Sequence, residues 1–311
     1  MRTRLLITIT GLVAALALVG AGCGSDDEEG GVGGVITADG SSTVGPFVTK
    51  AAEDFGDEAG VDVTVGISGT GGGFERFCAG ETDLSNASRP IDEEEQALCE
   101  EAGVEYIEFR VATDALTNVV NTANDWATCL TVDQLNKIWE PGSEVENWNQ
   151  IDPSFPDVAL KLYGAGTDSG TFDYFTDVIN GEEGASRTDF QATEDDNVTV
   201  QGVSGDRGAL GYFGFSYFEE NQDRLQALEV DGGAGCVAPS AETAQNDTYT
   251  PLSRPLFVYV KRASFDGNED VRNFVKFMLD NNTSIAEAAQ FVPLSEAQVA
   301  EETTKFEDAS A

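Results

Sequence analysis

The sequence predicts an α/β protein with mainly parallel sheets flanked by helices, on three observations. Strand-like and helix-like segments alternate from Val35 almost to the C-terminus, and such alternation is the mark of parallel sheets covered by helices. The stretch from Val35 to Ala311 is long enough for two ordinary domains or two lobes. Apolar residues make up 41% of the chain, a normal share for a packed core, and no stretch after the N-terminus could span a bilayer.

The N-terminus comes first. Arg2 and Arg4 precede an uncharged apolar run from Leu5 to Val19, which ends in Gly20-Ala21-Gly22 directly before Cys23. That layout predicts a secretory signal peptide over residues 1–22. The run is short for a membrane span, which wants about 18 or more apolar residues. Small residues followed by cysteine resemble the lipobox of bacterial lipoproteins, which implies lipidation of Cys23 and attachment to the membrane through that lipid only. The departure is Gly20, where the lipobox carries Leu or Val. Residues 23–34 are glycine-rich, acidic and without periodicity, so they read as a flexible tether.

From Val35 the elements follow in order. Val35 to Ala38 is a short strand, and Pro46 to Glu58 has helical spacing at Phe47, Ala51 and Phe55. Val61 to Val65 alternates as a strand does, Gly71 to Ala79 starts a helix, and Thr82 to Ala87 is a strand. Asp92 to Ala102 is an amphipathic helix whose first acids suit the helix dipole. Tyr106 to Val111 and Leu116 to Asn121 read as two strands, and Thr131 caps a helix ending at Trp139. Val158 to Tyr163 is a strand and Gly170 to Ile179 a helix. Ala209 to Phe213, Leu225 to Val230 and Pro255 to Val260 are strands, with helices at Asn268–Leu279 and Ser284–Phe291. The acidic C-terminal tail reads as low complexity. Trp126, Trp139 and Trp148 read as core rather than as a stacking platform for sugars.

Charge and composition exclude several functions. The formal net charge is -39, from 17 basic and 56 acidic residues. That argues against nucleic acid and anionic lipid as partners, because both reward basic patches. It does not forbid a buried anion site, since surface charge is screened over ~8 Å at physiological salt. The chain has no histidine, which removes Ser-His-Asp catalysis and His-ligated zinc together. No metal and no cofactor are expected. Cys78, Cys99, Cys129 and Cys236 form an even set in an exported body, which favours two disulfides. Of the three pairings, Cys78–Cys99 and Cys129–Cys236 are preferred: the first joins neighbouring helices and the second stays inside one lobe.

Three segments combine hydroxyls with glycines where a strand gives way to a helix. They are Asp39-Gly40-Ser41-Ser42-Thr43, Ser68-Gly69-Thr70-Gly71-Gly72-Gly73 and Thr167-Asp168-Ser169-Gly170-Thr171-Phe172. Free amides and the dipole at such a junction favour an anion. One alone reads as an ordinary cap; three together point to an oxyanion. A fourth segment, Asp83 to Ile91, holds Ser88 and Arg89 between a strand and a helix. A guanidinium there can clamp two oxygens of a tetrahedral anion.

The strings ADGSSTVGPF, SGTGGGF, DLSNASRPI and GTDSGTFDYF, with GALGYFGFSYF and the closing helices, occur in the order and spacing of a known family. The chain resembles the PstS family, the phosphate-binding proteins of ABC transporters, in a subgroup bearing an SRP motif. The resemblance implies a two-lobed periplasmic-binding-protein fold (Venus flytrap, type II) with a two-strand hinge. Lobe I would be residues 35–112 and 254–311, and lobe II residues 113–253, with crossings near Val111–Leu116 and Leu252–Leu256. Carried over motif by motif, the phosphate ligands are Ser41, Ser42, Thr43, Ser68, Ser169, Gly170 and Thr171. Family members carry an Arg four residues before the Ser of the Ser-Gly-Thr loop, where this chain has Ala165. The cation is therefore expected from Arg89, beside Ser88. Phosphate carries a proton near neutral pH and sulfate does not, so a carboxylate acceptor selects phosphate. Asp39, Asp114 and Asp168 are its unranked candidates.

The function expected is high-affinity capture of inorganic phosphate outside the cytoplasm and delivery to the permease and ATPase of an ABC transporter. The chain would act as a monomer on the outer face of the cell membrane and would not be an enzyme. The alternatives are a phosphate-sensing or surface protein of the same fold, or a phosphoryl hydrolase.

Overall fold

The computed structural model describes residues 35–311. The expected signal peptide, the lipidation site Cys23 and the tether lie outside the described residues.

The first half-sheet forms around β1 (Ile36–Gly40), which pairs in parallel with β2 (Val63–Val65) and β3 (Leu84–Ala87). The intervening segments are helices for local reasons. Gly45–Ala59 has Pro46 in its first turn and buries Phe47, Val48, Ala51 and Phe55 along one face. Gly69–Cys78 follows β2, and Glu93–Ala102 follows β3 behind an Asp92/Glu95 capping box. Gly40 is required by close approach. Its φ is +140°, and a Cβ there would strike the Asn86 backbone carbonyl.

Strand β4 (Tyr106–Asn121) then carries the chain into a second half-sheet. After β5 (Cys129–Thr131) come β6 (Lys161–Ala165), β7 (Gln191–Thr193), β8 (Ala209–Gly214) and β9 (Leu225–Ala227). The last three along the chain are β10 (Glu229–Asp231), β11 (Cys236–Val237) and β12 (Ser253–Lys261). The strand order is β2-β1-β3-β12-β4-β8-β6-β7, with β9 also on β4; β11-β10-β5 form a separate small sheet. Pairing is mixed rather than mainly parallel. The β1–β3 and β6–β8 groups are parallel, but β12 is antiparallel to β3 and β4, and β4 to β8 and β9. The cause is the path of the chain, which leaves the first half through β4 and returns through β12 in the opposite direction.

Two buried cores flank that crossing. One gathers residues between Ile36 and Ala112 with others between Leu256 and Ala286; the second runs from Leu116 to Leu252. Trp139 and Trp148 are buried in the second core, Trp139 against Phe175, Phe190 and Tyr212. Trp126 lies partly buried beside Trp148, with Arg207 over its ring. The disulfides are Cys78–Cys99 and Cys129–Cys236, the preferred pairing. No helix among the described residues is long and apolar enough to cross a membrane.

Four elements differ from expectation. Tyr106–Val111 and Leu116–Asn121 are one strand, because the polar pair Thr113-Asp114 that suggested a break is paired with Pro255 and Arg254 of β12. Leu225–Val230 divides at Leu228 into β9 on β4 and β10 on β5. The acidic tail is a helix, Glu296–Ser310, started by a Ser295/Gln298 capping box and seated through Phe306 against Phe265. Asp196–Gly205 is also a helix despite its Val, Thr and Gly content, since Val200 and Val203 are buried and Gly202 admits the Tyr163 ring. In this last case tertiary packing overrides weak local propensity.

Candidate functional site

Loops and helix starts at several strand ends present polar residues to one place. The β1 loop supplies Ser41, Ser42 and Thr43, and the loop after β2 supplies Gly69, Thr70 and Gly71. Ser88 and Arg89 come from the end of β3, Gly170, Asp173, Tyr174 and Asp177 from the helix after β6, and Ser253 and Arg254 from the start of β12. Together with Val178, Glu183, Thr250 and Pro251 they line a cavity of about 710 Å³. A second, smaller cavity of about 180 Å³ shares Ser42, Thr43 and Gly170 with the first, and adds Asp114, Ser169, Thr171, Asp196, Ser216 and Tyr217. The shared residues put the Ser-Ser-Thr loop opposite the start of the Gly170–Asn180 helix. Ser169 caps that helix by accepting from the Thr171 amide at 3.2 Å, which leaves first-turn amides and the dipole for an anion.

The main cation of the site is Arg254. Its Nε donates to Asp114 Oδ2 at 3.2 Å, and its Nη2 donates to Thr43 Oγ1 at 2.9 Å. The guanidinium carbon lies 3.7 Å from the centre of the Tyr174 ring, a cation–π contact. Tyr174 is itself fixed by donating its hydroxyl to the Pro251 carbonyl at 2.7 Å. The Arg254 side chain is 20% exposed and that of Asp114 10%. Burial pushes the Asp114 carboxyl up, and Arg254 opposes that shift by charge and hydrogen bonding.

Arg89 lies at the mouth, 43% exposed. Its Nη1 and Nη2 donate to the two carboxylate oxygens of the buried Glu95 at 2.8 and 2.7 Å. The Glu95 hydrogen bonds raise its pKa further. A guanidinium held end-on by one carboxylate still has its Nε edge for a second oxyanion. Ser88 is tied to the neighbouring loop, its amide donating to Thr70 Oγ1 at 3.3 Å and its hydroxyl lying 3.1 Å from that oxygen.

The other residues singled out in the sequence are placed differently. Ser68 lines neither cavity, and its hydroxyl donates to Asp39 Oδ1 at 2.9 Å. Asp39 is buried, also accepts from the Gly40 amide and pairs with Arg76, so it is spent on holding the first two loops together. Asp168 is exposed and lines neither cavity; its amide donates to Glu194. Ser41 is buried at the cavity wall and its hydroxyl accepts from the Val44 amide at 3.4 Å.

Sequence reasoning missed Arg254, Thr70, Tyr174 and Asp196. One signal was available. Ser253-Arg254-Pro255 repeats the tripeptide Ser88-Arg89-Pro90, and both lie on the cavity wall. A residue before proline is held extended, so each Arg projects from a strand end rather than a helix. Asp173, Asp177 and Glu183 form an acidic side of the same cavity; burial and Glu183 push the Asp173 carboxyl up, and Arg254 pulls it down.

A cleft lined by residues from both half-sheets, with helix starts aimed into it and a two-strand crossing beneath, defines a two-lobed solute-binding protein. The sequence model of the PBP superfamily domain matches residues 25–282. The protein SphX of Synechocystis is 49% identical over 264 residues, covering 84% of this chain and 79% of that protein. The phosphate-binding protein PstS of Staphylococcus saprophyticus is 38% identical over 303 residues, covering 96% of this chain and 92% of its own. The crystal structure of a possible phosphate binding protein from Planctomyces limnophilus matches with a TM-score of 0.84 at 44% identity, over 89% of this chain and 99% of that one. PstS from Borrelia burgdorferi, at 22% identity and a TM-score of 0.67 over 84% and 99%, shares the fold. The chain belongs to the PBP superfamily and, within it, to the family of PstS and SphX.

Proposed function

We propose that this protein captures inorganic phosphate in the cleft and hands it, unchanged, to the permease and ATPase of an ABC transporter. The observation that carries the reading is the convergence of the Ser41–Thr43 loop, the Ser169–Thr171 helix start and Arg254 on two adjoining cavities that share Ser42, Thr43 and Gly170. Phosphate would lie where the two cavities meet. Ser42, Thr43, Ser169, Gly170 and Thr171 would donate to its oxygens, Arg254 would supply charge from below, and Arg89 would close on it from the mouth. Neutral hydroxyls and amides replace hydration there, which is why a chain of net charge -39 can hold an anion.

The two cores support the following division of the chain. Residues 35–112 and 254–311 form lobe I and residues 113–253 lobe II, hinged at β4 and β12. Closure of the lobes would be the signal read by the permease. Residues 1–22 direct export, Cys23 carries the lipid, and 23–34 tether a monomeric receptor to the outer face of the membrane. The protein performs no chemistry on its ligand.

Calorimetric titration with phosphate, arsenate, sulfate and molybdate tests the ligand. Tight phosphate and arsenate binding with weak sulfate binding is expected, and equal affinity for sulfate overturns the choice of phosphate. In the same titration Arg89→Ala should weaken phosphate binding by more than ~2 kcal/mol, about thirtyfold. A loss under ~0.5 kcal/mol would place Arg89 outside the site.

A further inference from the structure

A tetrahedral oxyanion takes the space of a few waters of about 30 Å³ each, so the smaller cavity, about 180 Å³, already accommodates one. The larger cavity of about 710 Å³ extends well beyond the wall that the two share. That extension is acidic, lined by the three carboxylates of Asp173, Asp177 and Glu183. None of them takes part in an ion pair among the described residues. The guanidiniums of the cavity do not answer them, because Arg254 is matched by Asp114 and Arg89 by Glu95. Burial and then Glu183 push the Asp173 carboxyl up, so these acids act on one another.

The spacing of the acids decides which cation suits them. Among the described residues the one cluster at metal-ligand spacing is Cys129, Glu229 and Cys236, so the cavity acids are too far apart to form the shell of a bare metal ion. They are spread along a wall instead. Gly170, Asp173 and Asp177 stand at i, i+3 and i+7 of one helix and share a face. Gly170 belongs to the wall common to both cavities. Asp173 follows it by roughly 4.5 Å along the helix axis, a distance that a two-carbon arm between a phosphoryl group and an ammonium spans. We infer that the larger cavity is an ammonium subsite, and that the cleft takes zwitterionic phosphoryl compounds, aminoalkyl phosphomonoesters or phosphonates, in addition to inorganic phosphate. This rests on the reading of the shared wall as a phosphoryl site. Ser42, Thr43, the first-turn amides at Gly170 and Arg254 hold the phosphoryl end, and the three donors of the ammonium turn to Asp173 with Asp177 and Glu183 beyond it. Inorganic phosphate adds negative charge beside carboxylates without a cation, whereas the zwitterion brings the charge that offsets them. An uncharged arm of the same length gains nothing from this wall.

The test is calorimetric titration of the full chain near neutral pH with inorganic phosphate, 2-aminoethyl phosphate, 2-aminoethylphosphonate and ethyl phosphate, the last having an arm without charge. At least one aminated compound should bind tenfold or more tighter than ethyl phosphate, about 1.4 kcal/mol, and the tighter of the two separates an ester from a phosphonate as the source. The variant Asp173→Asn/Asp177→Asn/Glu183→Gln, shown to be folded by its thermal melt, should lose that preference and keep its affinity for inorganic phosphate. The wild-type comparison stands without the variant. Phosphate binding with no aminated compound bound, or with ethyl phosphate bound as tightly as both, overturns the inference and leaves the phosphate site standing. A preference for the amine that survives in the folded variant also overturns it, since the acids would then have no part in it. A wild type that binds neither phosphate nor any of the three compounds overturns the phosphoryl site and the inference together.

Discussion

Replacing Arg254 with alanine is expected to cost at least a hundredfold in phosphate affinity and about 3 kcal/mol of stability. Two effects add. The first is loss of the charge that lies against Thr43 and beneath the shared wall of the two cavities. The second is that Asp114 is left buried without its partner, and breaking a buried pair from one side is more costly than removing both members. Burial then acts on the Asp114 carboxyl without Arg254 to oppose it, so its pKa should rise further in the variant. Arg254→Ala with Asp114→Asn should recover much of the stability, read by denaturant unfolding, and little of the binding, read by calorimetry. Arg254→Lys should bind weakly, since an ammonium cannot reach Asp114, Thr43 and the ring face of Tyr174 in one plane. Wild-type affinity in Arg254→Ala would remove this residue from the site.

The second large effect is expected from the Cys129–Cys236 disulfide. It closes a loop with a sequence separation of 107 and joins β5 to β11 across the three-stranded small sheet. The loop-entropy relation assigns it about 4.7 kcal/mol, against roughly 3 for Cys78–Cys99 with its separation of 21. The paired variant Cys129→Ser/Cys236→Ser should therefore melt about 10–15 °C below the wild type. The small sheet is where unfolding should begin, because β5, β10 and β11 are two or three residues long and have few backbone bonds of their own. Phosphate should restore part of the lost melting temperature, since a ligand that binds only the folded chain stabilises it by mass action. Equal melting of oxidised and reduced protein would contradict this account.

The parts of the fold that were legible in the sequence were those where local and tertiary signals agree. Phe47, Ala51 and Phe55 share a helix face and are buried together; Thr131 caps, and its helix follows. Where the two signals conflict, sequence reasoning erred in a consistent direction. Thr113-Asp114 looked like a loop because the partner that neutralises Asp114 lies 140 residues away in β12. The C-terminal acids looked like a tail because Phe306 is a single anchor in a polar stretch, although Ser295 and Gln298 spelled out a capping box.

The site divides along the same line. Its loops could be read because each is a contiguous run of hydroxyls and glycines. Arg254 could not be found that way, since it sits in a strand and reaches the cavity only through the return of β12 beside β4. Its repeated Ser-Arg-Pro was the one local clue. Asp196 gave less still, as one acid in the run Glu194-Asp195-Asp196 within a chain of 56 acidic residues. Its place in the smaller cavity is a property of the fold.

The most direct test of the central claim is a calorimetric titration of the wild-type chain with inorganic phosphate, run beside Arg254→Ala. Saturable binding of one phosphate per chain, lost in the variant, is the predicted result. No heat of binding in the wild type, or the same isotherm for both proteins, would contradict a phosphate site built on the Ser-Ser-Thr loop, the Ser-Gly-Thr helix and Arg254.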